Sequence, residues 1–411
     1  MLYHLHEMQR SFLTPLMQWA DASSKLFSNP VSPLAHTPFS QRIAAGYELM
    51  YRLGKDYEKP AFGIDTVAIG ADTVRIVERI EIEKPFCRLL HFRKDLDAAA
   101  FAALDQPKVL LVAPLSGHHS TLLRDTVRAL LPNHDVYITD WTDARMVPLS
   151  AGPFHLDDYI FYVQDFIRHL APDLHVISVC QPTVPVLAAI SLMATAKDPK
   201  LPKTMTMMGG PIDPRRSPTA VNDLATEKPF SWFENTVIYS VPGNYPGVGR
   251  RVYPGFLQHA GFIAMNPGRH AQSHREFYNH LVAGDDEPAE SHRQFYNEYN
   301  AVLDMPAEYY LDTIKTVFQD FALPMGTWTV GGQLVRPQDI KTVALLTVEG
   351  ELDDISGAGQ TQAAHDLCSG IPAKMKQDYV AEKAGHYGIF SGRRWRETIC
   401  PKIGEFIRKH G

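Results

Sequence analysis

Between Lys108 and Met208 the chain switches repeatedly from short apolar runs to longer stretches of helical periodicity, and few architectures accept that rhythm. The run Lys108–Pro114 (KVLLVAP) is continuously apolar after its first residue, as a strand covered on both faces requires. A helix is predicted over Leu122–Leu131, a strand over Asp135–Thr139, and a helix over Asp157–Leu170. His175–Val179 reads as a strand, Val186–Ala196 as a helix and Lys203–Met208 as a further strand. Strands separated by helices at such distances imply a parallel sheet with right-handed crossovers. Ahead of this region, residues 64–93 are β-rich, and Thr73–Ile80 alternates as a half-buried strand should.

The alternation stops near Pro211 and returns at Thr342–Val348 and Met375–Val380, before a closing helix over Arg394–Arg408. Residues 211–337 are rich in aromatics, Asn, His, Pro and Gly, too apolar for a linker, and read as a mainly helical inserted cap. The organisation predicted is therefore an N-terminal helical arm (1–60), a first core part (61–210), the cap (211–337) and a second core part (338–411). In residues 1–50, Leu, Met, Phe and Trp recur at three- and four-residue spacings, predicting helices whose apolar side packs on the body. The alternative is a surface that touches something apolar outside the protein.

Composition narrows the function. The 411 residues are 45% hydrophobic and 21% charged, with a net charge of −6 and no basic run, which argues against nucleic-acid binding. The 4 cysteines lie far apart without a CxxC pair, so neither a disulfide framework nor a zinc site is expected. A reduced, cytoplasmic setting follows as the expectation. The N-terminus lacks the pattern of a signal peptide, and no long apolar run predicts a membrane span. Histidine spacings match no HExxH motif, so no metal is assigned.

The strongest chemical signal is Ser178-Val179-Cys180-Gln181-Pro182, where a buried strand runs straight into a helix with a thiol at the junction. That is the setting of a nucleophile elbow, usually written G-x-S-x-G, with Ser178 and Pro182 in place of its glycines. Ser178 is small, and Pro182 falls where a helix needs no N–H. Gln181 keeps the backbone N–H that an oxyanion hole uses, and the helix N-terminus favours negative charge there.

An acid and then a histidine should follow, each after a later strand. Gly350-Glu351-Leu352-Asp353-Asp354 offers Asp353, with Asp354 as the alternative, and Ala384-Gly385-His386-Tyr387-Gly388 offers His386. The second oxyanion N–H should come from the loop Pro114–Ser120, with Ser116 first and Leu115 or Gly117 as alternatives. The order Cys180, Asp353, His386 predicts an α/β-hydrolase fold: a mostly parallel central sheet flanked by helices, with an inserted cap. Aromatics of the cap, Trp232 and Phe233 among them, together with Tyr387, are candidate substrate contacts.

The chain resembles the intracellular poly(3-hydroxybutyrate) depolymerases along nearly its whole length. The resemblance rests on MLYHLHEMQR, V-C-Q-P-T, DMPAEYYLDTIKTVFQDF, GELDDISG and GHYGIFSGRRWR. It implies a cysteine nucleophile at Cys180, with Asp353 and His386 as acid and base. It further implies amorphous storage polyester as substrate, hydroxybutyrate oligomers or monomers as products, and a place at storage granules. No cofactor is implied, although coenzyme A is an alternative acyl acceptor to water. Polyester synthases and acyl-CoA thioesterases share the triad logic. Synthase elbows usually keep a glycine where Ser178 and Pro182 stand, which favours the depolymerase. A granule-coating protein without catalysis is the alternative of another class. Oligomeric state is not legible.

Overall fold

The computed structural model describes residues 2–265 and 267–411; Met1 and Asn266, which belong to stretches quoted or counted above, lie outside the described residues. The alternating region forms one sheet of 9 strands. In chain order these are β1 (Thr66–Ile69), β2 (Asp72–Lys84), β3 (Cys87–Lys94), β4 (Lys108–Val112) and β5 (Asp135–Trp141). β6 (Leu174–Val179), β7 (Thr204–Met208), β8 (Ala344–Gly350) and β9 (Lys376–Ala381) complete it. Their spatial order is β1-β2-β3-β5-β4-β6-β7-β8-β9. β1, β2, β3 and β5 pair antiparallel, and every pair from β5 to β9 is parallel.

This is the mixed, mostly parallel sheet of an α/β-hydrolase, and its burial explains its sequence. Every residue of β5, β6, β7 and β8 is buried, which is why those strands show no solvent-facing polar side in their sequence, their few polar residues being buried as well. β2 is half-exposed and carries an irregularity between Ile80 and Ile82. The helix Thr183–Thr195 is apolar all round and buried from Thr183 to Met193, because it packs against both the sheet and the helix Leu156–Leu170. The latter is amphipathic, burying Tyr159, Ile160, Val163, Phe166, Ile167 and Leu170, and its start is closed by His155 N–H donating to Asp158.

Two features differ from the sequence reading. Residues 211–337 hold, besides helices, a three-stranded antiparallel sheet of Tyr239–Ser240, Arg251–Tyr253 and Met305–Pro306, strands too short to leave a periodic signal. The N-terminal helix Leu2–Ser28 packs on Ser40–Gly54 and buries Tyr3, Met17, Ala20 and Ser24. Its larger side chains face outward instead: Leu5, Phe12, Trp19 and Leu26 are 51%, 79%, 53% and 49% exposed. Among the described residues no helix is long and apolar enough to cross a membrane.

Candidate active site

The chain leaves β6 at Val179 and must turn at once into the helix beginning at Thr183. Cys180 makes that turn in the left-handed region, with φ of 67°, a conformation that strains any residue carrying a Cβ. The turn is held from both ends: Cys180 N–H donates to Met208 O at 2.7 Å, and Thr183 N–H to Cys180 O at 3.1 Å. Ser178 is wholly buried and donates its hydroxyl to Thr206 O.

The glycines that elbows of this kind usually carry are found elsewhere, at the end of the neighbouring strand. A Cβ on Gly210 would lie 1.8 Å from Thr183 Oγ1 and 2.4 Å from Cys180 O. Gly209, with φ of 56°, would place one 2.7 Å from Ile389 Cδ1 and 3.4 Å from the His386 ring. The close approach that Gly supplies is needed between β6 and β7, and the pair Gly209-Gly210 supplies it.

Asp353 stands in the tight turn after β8. Its Oδ1 accepts from the N–H groups of Ile355 and Ser356 at 2.9 and 2.8 Å, and its Oδ2 faces His386 Nδ1 at 2.8 Å. Both side chains of that pair are almost fully buried. Asp354 is exposed, and it is Asp353 that meets the imidazole. With Nδ1 so engaged, Nε2 is left for the Cys180 thiol, which is a hydrogen-bonding neighbour of the ring. Burial opposes a charged imidazole, but the facing Cys180 and the bond to Asp353 outweigh it and hold the His386 pKa well above its ordinary value. Cys180 itself is half-buried, whereas Cys87, Cys368 and Cys400 are buried core thiols.

The loop after β4 carries Ser116 and turns through Gly117 at φ of 112°. It is pinned by residues arriving from the inserted segment: Leu303 N–H donates to Gly117 O at 2.7 Å, and His118 bridges to Val302. Ser116 is partly exposed in that loop, and the backbone N–H of Gln181 donates to no acceptor among the described residues.

An aromatic wall surrounds the thiol. Tyr387 crosses the rings of His386 and Phe390 edge-on, both at 5.7 Å, and burial, Tyr299 and Cys180 push its phenol well above the usual range. Trp232 and Phe233 lie apart from this wall. They pack together with Leu311 and Ile314 in a separate cluster, where Phe233 is 2% exposed. Composition gave no sign of which cap aromatics face inward.

Three neighbours of the site escaped the sequence reading. Tyr309 donates to Gln181 Oε1 at 2.7 Å, and Tyr159 stacks on Tyr309 with centroids 5.5 Å apart. His118, stacked on Phe262, is held neutral by burial, with its pKa lowered to about 4. The adjacent tyrosines of DMPAEYYLDTIK were a visible signal for the first, but nothing in that stretch told Tyr309 from Tyr310.

Comparison with solved structures finds similar chains at low identity. A monoacylglycerol lipase of Paleococcus ferrophilus is 13% identical, covering 74% of this chain and 96% of its own, with a TM-score of 0.45. A thermophilic esterase of Thermogutta terrifontis is 12% identical over 84% and 98% of the two chains, with a TM-score of 0.43. A 2-hydroxy-6-oxo-6-phenylhexa-2,4-dienoate hydrolase of Rhodococcus sp. strain RHA1 is 12% identical over 82% and 99%, also at 0.43. Comparison with curated proteins finds no match. Residues 209–411 match the family model described as "PHB de-polymerase C-terminus", a span that contains Gly209, Gly210, Asp353 and His386. On that match the C-terminal part of the chain, residues 209–411, is similar to the PHB depolymerase family.

Proposed function

We propose that this chain cleaves the ester bonds of poly(3-hydroxybutyrate), with Cys180 as nucleophile, His386 as general base and acid, and Asp353 as the carboxylate that orients it. The observation that carries the reading is Cys180 at φ of 67° on a strand-to-helix turn, with the His386–Asp353 pair against its thiol.

The chemistry follows from those positions. Asp353 fixes the His386 ring so that Nε2 faces sulfur, and His386 takes the Cys180 proton. Sulfur attacks the ester carbonyl, and the tetrahedral oxyanion is met by the free N–H of Gln181 and by one from the loop at Ser116. Collapse forms a thioester as His386 protonates the departing alcohol. Water then attacks that thioester through a second oxyanion, His386 taking its proton, and releases the hydroxyacid end. His386, Asp353 and Gln181 are each less than a tenth exposed. A polymer strand therefore reaches them only if the segment carrying Val302, Leu303 and Tyr309 moves as a lid.

The outward stripe of Leu5, Phe12, Trp19 and Leu26 recurs every seventh residue; His4, Ser11 and Gln18 precede its first three members, and Lys25, paired with Asp21, precedes the fourth. A face with one acid-paired lysine on its border suits a neutral, apolar storage granule better than an anionic lipid surface, which calls for several Lys and Arg there.

The test is release of hydroxybutyrate from amorphous poly(3-hydroxybutyrate) granules by the wild type and Cys180→Ala, with and without coenzyme A. Release by the wild type alone, independent of coenzyme A, is the expected result. Dependence on coenzyme A makes it the acceptor. A folded wild type that releases nothing contradicts the substrate.

A further inference from the structure

Gln181 follows the thiol directly, and its side chain is as unusual as its backbone. The residue is 7% exposed, and its carboxamide is held at one end only. Oε1 accepts the Tyr309 hydroxyl at 2.7 Å, whereas Nε2 is buried without any protein partner among the described residues. A buried amide donor left unpaired is destabilising. A site that keeps one beside its reactive sulfur is a site waiting for an acceptor.

Tyr309 determines which end of the amide is on offer. It is 1% exposed, and burial above all holds its phenol protonated, so that it has the proton it donates to Oε1. Its ring is backed by Tyr159, which is stacked in turn on Trp141 at 4.2 Å. In this arrangement the carboxamide turns its N–H away from Tyr309.

We propose that the Gln181 carboxamide determines specificity: its Nε2–H binds the neighbouring ester carbonyl of the polyester acyl chain while Cys180 attacks, with Tyr309 as the positioning residue. The inference rests on the ester-cleavage reading above. Lengths agree, since four covalent bonds separate successive carbonyl carbons of a 3-hydroxyacid polyester and four separate Cα from Nε2 in glutamine, about 5 Å in each case. Charge agrees as well, because an ester carbonyl is a neutral acceptor and an amide a neutral donor, so neither ion is stranded on burial. A plain alkanoyl chain offers only methylenes there and leaves Nε2 unpaired, which is how a polar site rejects an apolar analogue.

The experiment compares kcat/KM for p-nitrophenyl 3-acetoxybutyrate, which has the second carbonyl, with that for p-nitrophenyl hexanoate, which lacks it. The leaving group is common, and any loss of folded enzyme scales both rates equally, so their ratio isolates recognition. Wild type is expected to prefer the acetoxy ester by about tenfold, the value of one well-placed hydrogen bond. Gln181→Met and Tyr309→Phe should each bring the ratio close to one, and the double variant should go no further than Gln181→Met. A wild type without preference, or variants in which both rates fall by one factor, overturns the inference and leaves the triad standing. If the wild type cleaves neither ester, or Cys180→Ala cleaves both as fast, the underlying reading fails and takes the inference with it.

Discussion

Asp353 shows most clearly how single atoms carry the site. Its Oδ1 is tied to two backbone N–H groups, so Oδ2 is held in place for His386 Nδ1. Asp353→Asn should keep the fold but disturb the tautomer, lowering kcat about 10³- to 10⁴-fold in steady-state assays of ester cleavage. Gly210→Ala acts differently, since its Cβ would fall 1.8 Å from Thr183 Oγ1. A cost of about 1–3 kcal/mol in urea unfolding is expected, together with loss of activity as the elbow is displaced. The two glycines mark the limit of reading residues alone. Cys180, Asp353 and His386 were legible because each follows a strand in order. Gly209-Gly210 was not, because only the pairing of β6 with β7 brings residues so distant in sequence to the back of Cys180.

At the level of elements, the buried strands were legible from composition, since β4 to β8 have no exposed face to write an alternating pattern. The N-terminal helix was harder, because periodicity reports an apolar stripe without saying which way it faces. Its docked side is anchored by Tyr3, whose hydroxyl donates to the buried Asp304 at 2.6 Å. Tyr3→Phe leaves that carboxylate short of a donor, and limited proteolysis should cut between residues 28 and 40 faster than in the wild type. On the outward side, Phe12→Gln with Trp19→Gln should reduce sedimentation with amorphous poly(3-hydroxybutyrate) while the far-UV circular dichroism is retained. Equal sedimentation of variant and wild type removes the stripe from the account.

Over the whole molecule, histidines dominate the response to acid. His118, His134 and His175 are buried with pKa values lowered by burial to about 4, and His119 to about 3. An unfolded histidine takes its proton near pH 6.5, whereas these take theirs only near the lowered values. Their stability contribution is therefore complete above pH 6.5 and is lost as pH falls toward 4, at about 1.4 kcal/mol per histidine per pH unit. His386 has the opposite sign: its raised pKa stabilises the fold at low pH, a contribution lost as pH rises through the folded value. Thermal unfolding from pH 8 to 4 should show a falling midpoint below 6.5, because the histidines lowered by burial, His270 and His292 also among them, outnumber raised groups such as His386, His155, Asp143 and Asp304. A flat profile contradicts the assignment.

The central claim is that Cys180 becomes acylated. Mixing the protein with p-nitrophenyl butyrate, quenching in acid within the first turnover and mapping peptides by mass spectrometry tests it directly. The account predicts a butyryl adduct on the peptide carrying Cys180, labile to hydroxylamine as a thioester is, and absent from Cys180→Ala. A stable adduct on a serine or threonine, or turnover by Cys180→Ala at the wild-type rate, contradicts it.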